Sequence, residues 1–272
     1  MKDKVILITG STDGIGKEAG IQLVEKGVHV IIHGRNQKKA EMIMKEIEKT
    51  TNLHNMSMVY ADLASIDQIT TMVDDIYKKF DRLDVLINNA GIYRPQRQLS
   101  HDGLEETFAV NYIAPYILTN RLIKFLKKAS SSRVVNVVSE VQSNQLDLNN
   151  LQFETGYTGV KAYANSKTCL VMFTYLLAEK LKNYNITVNC LHPGVINTKV
   201  LDAAMGMVGA PVSVGADTLV HAATSPKLEG ITGKFLDKKR IQQSKDITYN
   251  KELQEKLWQI TEKLIGMDFK DF

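Results

Sequence analysis

Tyr157 stands four residues before Lys161, and Tyr163 four residues before Lys167, in the stretch GYTGVKAYANSK at 156–167. A phenol beside an ammonium is a proton-transfer device. Tyrosine has a reference pKa near 10, so using it as a base at neutral pH needs a shift of roughly three units, or about 4 kcal/mol. One ammonium at about 4 Å supplies near 4 kcal/mol at an effective dielectric of about 20. On an ordinary helix surface the same pair is only a side-chain contact. Local composition separates the two pairs. Tyr157 is flanked by Gly156 and Gly159, and glycine inside a helix costs roughly 1 kcal/mol against alanine. Tyr157 and Lys161 therefore straddle a loop-to-helix junction. From Lys161 onward no Gly or Pro intervenes until past Leu181, which predicts a sustained helix with Tyr163 and Lys167 on one face.

A second constellation lies near the N-terminus. The run Gly10, Ser11, Thr12, Asp13, Gly14, Ile15, Gly16 directly follows an apolar run, Val5–Ile8. Glycines at a strand-to-helix turn permit the tight backbone and remove side chains that would block a phosphate. The helix that follows aims its N–H groups and positive dipole end at the same spot. A pyrophosphate is the expected occupant. The spacing is Gly-x-x-x-Gly-x-Gly, not the Gly-x-Gly-x-x-Gly of the usual dinucleotide fingerprint. After the second apolar run come Gly34, Arg35 and Asn36. An NAD site usually offers a carboxylate there for the ribose hydroxyls. Here an arginine fork is placed to grip a 2′-phosphate, so NADP is expected over NAD. Asp62 and Leu63 follow the third run, and Asp62 either contacts the adenine amino group or caps the next helix.

The elements that must hold these groups are legible as alternation. Apolar, β-branched runs occur at Val5–Ile8, Val28–Ile32, Met56–Tyr60, Val85–Ile87, Val134–Val138 and Ile186–Leu191. Several are apolar on consecutive residues, as strands covered on both faces are. Between them Ile15–Glu25, Lys38–Thr50, Ile66–Phe80 and Leu104–Lys127 carry apolar residues at three and four spacing. Asp102 followed by Glu105 resembles a capping box for the last of these. Strand–helix repetition predicts an α/β fold with a doubly wound, Rossmann-like parallel sheet in a single domain. The tail reads as a C-terminal amphipathic helix within 248–266. The apolar stretch 199–214, rich in Ala, Gly and Met, is either a substrate lid or an ordinary packed segment.

Composition narrows the classes. The 272 residues are 44% hydrophobic and 24% charged with a net charge of +4, ordinary for a globular domain. There is no basic stripe of the kind that nucleic-acid binding needs. Cys169 and Cys190 make no metal pattern or disulfide framework, and both are expected as buried thiols. No stretch suits a signal peptide or a transmembrane span. The default expectation is a soluble protein of the cytoplasm or another intracellular compartment, with no metal.

Read together, these motifs resemble the classical short-chain dehydrogenase/reductase family. The series comprises TGSTDGIG at 9–16, ADL at 61–63, NNAG at 88–91, Asn111 in VNYIAPYILT, Ser139 in VVNVVS, Tyr163 and Lys167 in YANSK, and PGVINT at 193–198. The likeness covers about the first 200 residues, and the wording around Tyr163 is similar to the retinol-dehydrogenase-like group. The resemblance implies that Asn111, Ser139, Tyr163 and Lys167 are the catalytic four. It also implies that Asn89, Ala90 and Gly91 support the cofactor ribose, and that Pro193, Gly194, Val195 and Thr198 border the nicotinamide. Tyr163 would exchange a proton with the substrate oxygen while Ser139 holds that oxygen. Lys167 would lower the tyrosine pKa and hold ribose hydroxyls. Asn111 would bend its helix and carry a relay water. The expected activity is NADP(H)-dependent interconversion of a carbonyl and an alcohol on a hydrophobic small molecule. Arg94 and Arg97 offer an anionic substrate as a variant. The segment 142–159 is an insertion relative to compact members. A non-catalytic NADP-binding regulator or scaffold is the competing class. Homo-oligomers through helices 104–127 and 160–182 are open.

Overall fold

The computed structural model describes residues 3–269. Among these, eight strands form one sheet in the order β3-β2-β1-β4-β5-β6-β7-β8. They are β1 (Val5–Ile8), β2 (His29–Gly34), β3 (Met56–Tyr60), β4 (Val85–Asn88), β5 (Ser132–Val137), β6 (Ile186–His192), β7 (Phe235–Asp237) and β8 (Arg240–Gln242). Every pairing is parallel except β7 with β8. The six apolar runs of the sequence are the first six strands, within one or two residues at their ends. The hairpin β7–β8 is new. Its strands have three residues each, too short for a hydrophobic period.

Helices cover both faces, which is why the strands are apolar on consecutive residues. One face carries α1 (Gly14–Glu25), α2 (Gln37–Thr51) and α8 (Val212–Thr224) over a core that includes Ile6, Ile8, Val30 and Leu219. The other carries α3 (Ile66–Lys79), α5 (Ala114–Leu126) and α6 (Gly159–Lys180) over Leu7, Ile31, Leu86 and Val134. Each fully buried Ile, Leu or Val contributes about 1.5–3 kcal/mol. Cys169 and Cys190 are buried in this second core. The helix α9 (Lys251–Ile265) starts at the Asn250 cap and ends at left-handed Gly266. It packs on α5 and α6 through Trp258, whose ring lies 4.9 Å from Tyr116 and 5.9 Å from Phe173. Among the described residues no helix is long and apolar enough to cross a membrane.

The helix expected over 104–127 is composite. A short turn, α4 (Glu106–Phe108), runs into a π-helical segment at Ala109–Ile113 and then into α5. The capping box is not formed. Glu105 itself caps α4, its carboxylate accepting from Thr107 N at 2.9 Å and Phe108 N at 2.6 Å. Asp102 instead accepts from Ile66 N at 2.8 Å, at the start of α3. The spacing was right for a box, but the chain between the two residues turns at Gly103, which has φ +75°. That turn sends the aspartate to a neighbouring helix.

Strand order reverses between β1 and β4, and the loops leaving their carboxyl ends open a crevice there. Ligands of doubly wound sheets bind at such a switch point.

Candidate active site

The crevice is a cleft of about 1350 Å³ bordered by the β1–α1 loop, the ends of β4, β5 and β6, and α7 (Lys199–Met205). Its floor is set by glycines. Gly10 has φ +64°, and a Cβ on it would sit 2.9 Å from Ala90 Cα. A Cβ on Gly16 would sit 2.5 Å from Asn89 Nδ2 and 2.6 Å from the Gly10 carbonyl. The loop can lie this close to β4 only without side chains. Asn89 Nδ2 donates to Thr9 O at 2.8 Å and fixes the contact. Asp13 caps α1, accepting from Gly14 N at 2.9 Å. Thr12, Asp13, Gly14, Ile15, Leu63, Ala90, Gly91, Pro193, Gly194, Val195 and Thr198 all line the cleft. Ser11 does not. It is buried below the loop, donating to Ile8 O at 2.8 Å and accepting from His33 N at 2.9 Å. Asn36 caps α2 and also lies outside the lining.

His33, which sequence reasoning passed over, is the pin of this end. Its Nδ1 accepts from Gly10 N at 3.0 Å, and its Nε2 lies 3.1 Å from Ala61 O. One nitrogen must accept and the other donate, so the ring is the neutral tautomer with the proton on Nε2. Burial drives its pKa down to about 4, partly offset by the bond to Ala61. Between pH 6.5 and 4 the unfolded chain holds the extra proton and the folded one does not. Stability contributed by neutral His33 is thus complete above pH 6.5 and lost as pH falls towards 4, by about 3 kcal/mol in all. Melting temperature against pH should show this slope in the unmutated protein and a shallower one in His33→Gln.

Cations gather where Arg35 projects. Lys17, Arg35 and Lys39 line the same end of the cleft, with Asp13, Glu18 and Glu46 among them. Lys17 pairs with Glu46 at 2.9 Å. Asp13 Oδ2 receives Lys199 at 2.5 Å and Lys39 at 3.2 Å. The Lys199 hydrogen bond, then Lys39, hold the Asp13 carboxyl at about 2 against the opposing effect of burial. Asp62 also lines the cleft, its Oδ1 accepting from Ala64 N at 3.0 Å, while Ser65 caps α3.

At the opposite end Ser139, Tyr163 and Lys167 line the cleft together. Ser139 is at the end of β5. Tyr163 and Lys167 lie on one face of α6, whose N-cap is Thr158. Tyr157 is therefore outside the helix, and its hydroxyl donates to Arg94 O at 2.9 Å and meets Glu105 Oε1 at 3.3 Å. It is a strut between the inserted segment and the loop after β4. Burial, then Glu105, push its pKa up to about 12, the wrong direction for a base.

Tyr163 and Lys167 come together on their shared face of α6, the ammonium lying over the ring. Lys167 Nζ donates to Val137 O at 2.9 Å and lies 5.7 Å from the centre of the Tyr163 ring. Burial pulls the Lys167 pKa down to about 8. Burial pushes Tyr163 up to about 12, with a hydrogen bond from Ser139 pulling the other way. A low-dielectric wall disfavours either charge. Asn111 lies within the π segment, fully buried. Its Oδ1 accepts from Ile92 N at 2.8 Å, and its Nδ2 donates to Ile92 O at 3.0 Å and Ser166 Oγ at 3.1 Å. The side chain ties the β4 loop to α6. Both Asn111 Oδ1 and Lys167 Nζ would lie 3.4 Å from a Cβ on Gly91, so Gly91 leaves room between them.

The family model for the short chain dehydrogenases matches residues 4–207. The chain belongs to that family. It falls with the retinol-dehydrogenase-like group. Human polyprenol dehydrogenase is 36% identical over 283 residues, covering 97% of this chain and 86% of the relative. Human retinol dehydrogenase 13 is 30% identical over 283 residues, covering 97% and 85%. A solved structure of an uncharacterized Mycobacterium paratuberculosis protein shares the fold, with a TM-score of 0.81, 23% identity, and coverage of 98% and 95%. This short-chain dehydrogenase is thus an oxidoreductase of a family that binds a nicotinamide cofactor. The residues present fit such a group. The N-terminus of α1 faces the cleft, glycines clear the loop, and cations stand at one end with Lys167 at the other. Arg94 and Arg97 lie outside the lining of the cleft. Arg94 forms a bidentate pair with Glu106 at 2.6 and 2.9 Å, and Arg97 donates to Gln152 O at 3.1 Å.

Proposed function

We propose that this short-chain dehydrogenase interconverts a carbonyl and an alcohol on a long apolar substrate, with NADP(H) as cofactor and Tyr163 as the proton-transferring residue. One observation carries the reading. Ser139, Tyr163 and Lys167 share a single cleft with the glycine loop and the Arg35 end. The substrate side of that cleft includes Ile92, Tyr93, Val110, Val141 and Leu201. An apolar wall with few polar groups suits a hydrophobic ligand, and the polyprenol and retinol dehydrogenases named above support the same class.

NADPH supplies the hydride when bound. Everything else falls to the chain. Ser139 Oγ donates to the substrate oxygen and fixes it opposite Tyr163. With its pKa at about 12, Tyr163 holds its proton at neutral pH and acts as a general acid, the role that carbonyl reduction requires. Lys167 Nζ restores that proton, and the bond to Val137 O sets where the ammonium sits. Asn111 acts through position, tying the β4 loop to α6, and a relay water at the π-helical turn belongs to the same proposal. Alcohol oxidation needs the phenolate and gains rate as pH rises. Residues 199–214, with α7 at their start, close over the substrate end as a lid.

Arg35, Lys17 and Lys39 favour the 2′-phosphate. Arg35→Asp should weaken NADPH at least tenfold (about 1.4 kcal/mol) and leave NADH nearly unchanged, read by fluorescence titration of each cofactor. NADPH and NADH consumption, run side by side over apolar aldehydes and ketones of increasing length, tests the reading as a whole. Equal affinities for the two cofactors in the unmutated protein would remove the NADP assignment.

A further inference from the structure

We propose that Gln142 is a positioning residue. Its side-chain amide ties Ser139 to the C-terminal segment, so that residues 244–249 help to set where the Ser139 hydroxyl lies. This rests on the role given to Ser139 above. β5 ends at Val137, and Val138 N still reaches Leu191 O at 2.8 Å. Ser139 has left the sheet, and its buried carbonyl needs another donor. Gln142, the first residue of the inserted segment, supplies it: Nε2 donates to Ser139 O at 2.8 Å. The same turn fixes the hydroxyl, since Ser139 Oγ accepts from Val141 N at 3.1 Å. An oxygen that accepts there keeps its own proton for the substrate oxygen.

The far side of the amide is held from outside the 4–207 stretch that the family model matches. Lys245 N donates to Gln142 Oε1 at 3.3 Å. Lys245 opens a turn that is closed on itself. Ser244 Oγ and Thr248 Oγ1 are 2.7 Å apart, and Thr248 Oγ1 donates to Lys245 O at 2.6 Å. Tyr175 on α6 bonds Ser244 Oγ at 2.7 Å, and Gln254 on α9 donates to Thr248 O at 2.7 Å. Ser244 and Thr248 are both buried. The turn is clamped between α6 and α9 and makes a firm post for Gln142. On the near side Ser143 N donates at 2.8 Å to the hydroxyl of Thr168, the residue after Lys167. Residues 139–143 are thus held from two directions, and one of them is the C-terminal segment.

A primary amide suits this junction. It donates to a carbonyl and accepts from an N–H at once, whereas a carboxylate only accepts. Truncation at 142 takes a partner from both Ser139 O and Lys245 N. Ser139 works by holding the substrate oxygen, and a misplacement of about 1 Å at such a contact can lower the rate about a hundredfold. None of these bonds touches the glycine loop or the Arg35 end. The link therefore acts on turnover and not on cofactor binding.

Gln142→Ala, Lys245→Pro and the double variant are compared with the unmutated full chain. Lys245 already has φ −62°, so proline removes its N–H without turning the backbone. The turnover number should fall about tenfold or more in Q142A and about threefold or more in K245P, with NADPH affinity unchanged. The double variant should be no slower than Q142A, because both changes cut one link. Losses that multiply, cofactor affinity that falls along with turnover, or full turnover in Q142A would overturn the proposal. Thermal melts verify that the variants fold. Amide exchange at Val141, followed by NMR, needs no substrate. It should speed up in both single variants, and unchanged exchange would equally overturn the proposal. Ser139→Ala separates the two readings. Full turnover in that variant would count against the role given to Ser139, while the exchange result still decides the link through Gln142.

Discussion

Tyr163→Phe should lower the turnover number by about two to four orders of magnitude, the usual worth of a positioned general acid, while NADPH binds as before. The ring stays, so the packing against Tyr93, with centroids 6.1 Å apart, is retained. Only the hydroxyl that faces Ser139 is removed. Tyr157→Phe is the matched control. It loses a hydrogen bond to Arg94 O and a contact with Glu105, costing about 1 kcal/mol of stability, and keeps turnover. Steady-state rates and cofactor titrations on the two variants decide between the tyrosines. An inactive Tyr157→Phe beside an active Tyr163→Phe would reverse the assignment.

Gly16→Ala should be nearly as damaging, by another route. Its Cβ would press on the Gly10 carbonyl at 2.6 Å and on Asn89 Nδ2 at 2.5 Å. One of these is backbone and the other holds β4 to the loop, so neither gives cheaply. Overpacking of this kind costs about 1–3 kcal/mol, and the loop that must yield is the one that would carry the diphosphate. Cofactor affinity should fall at least a hundredfold, read by titration, along with the melting temperature. Gly20→Ala, one helical turn on, is the contrast. Its Cβ would meet nothing nearer than Val30 Cγ1 at 4.0 Å, so the exchange should be neutral or stabilising by up to about 1 kcal/mol.

What the sequence made legible follows from the range over which each signal acts. The first six strands announced themselves because both faces of a parallel sheet are covered and the runs are apolar throughout. The choice between the tyrosines was also local. The Thr158 cap starts α6 at Gly159, after Tyr157 and before Tyr163, and the local glycines signal that boundary. Asp102 misled because its partner lies on α3, 36 residues earlier, beyond any capping template. His33 gave no signal, since its role depends on Gly10 and Ala61 arriving from two other strand ends. The direction of the ammonium was invisible for the same reason. Four-residue spacing puts Lys167 and Tyr163 on one face, but Val137 O on β5 decides where the ammonium points. The segment 199–214 showed its apolar character in sequence; that Val208 stands outward is a property of how Gly209 meets the Ile196 turn.

Catalysis by Tyr163 requires its hydroxyl beside the bound cofactor. A crystal structure with NADP and an apolar alcohol should place Tyr163 Oη and Ser139 Oγ on the same substrate oxygen, beside the nicotinamide. A Tyr163 hydroxyl turned away from that ring, with protein filling the space between them, would contradict it.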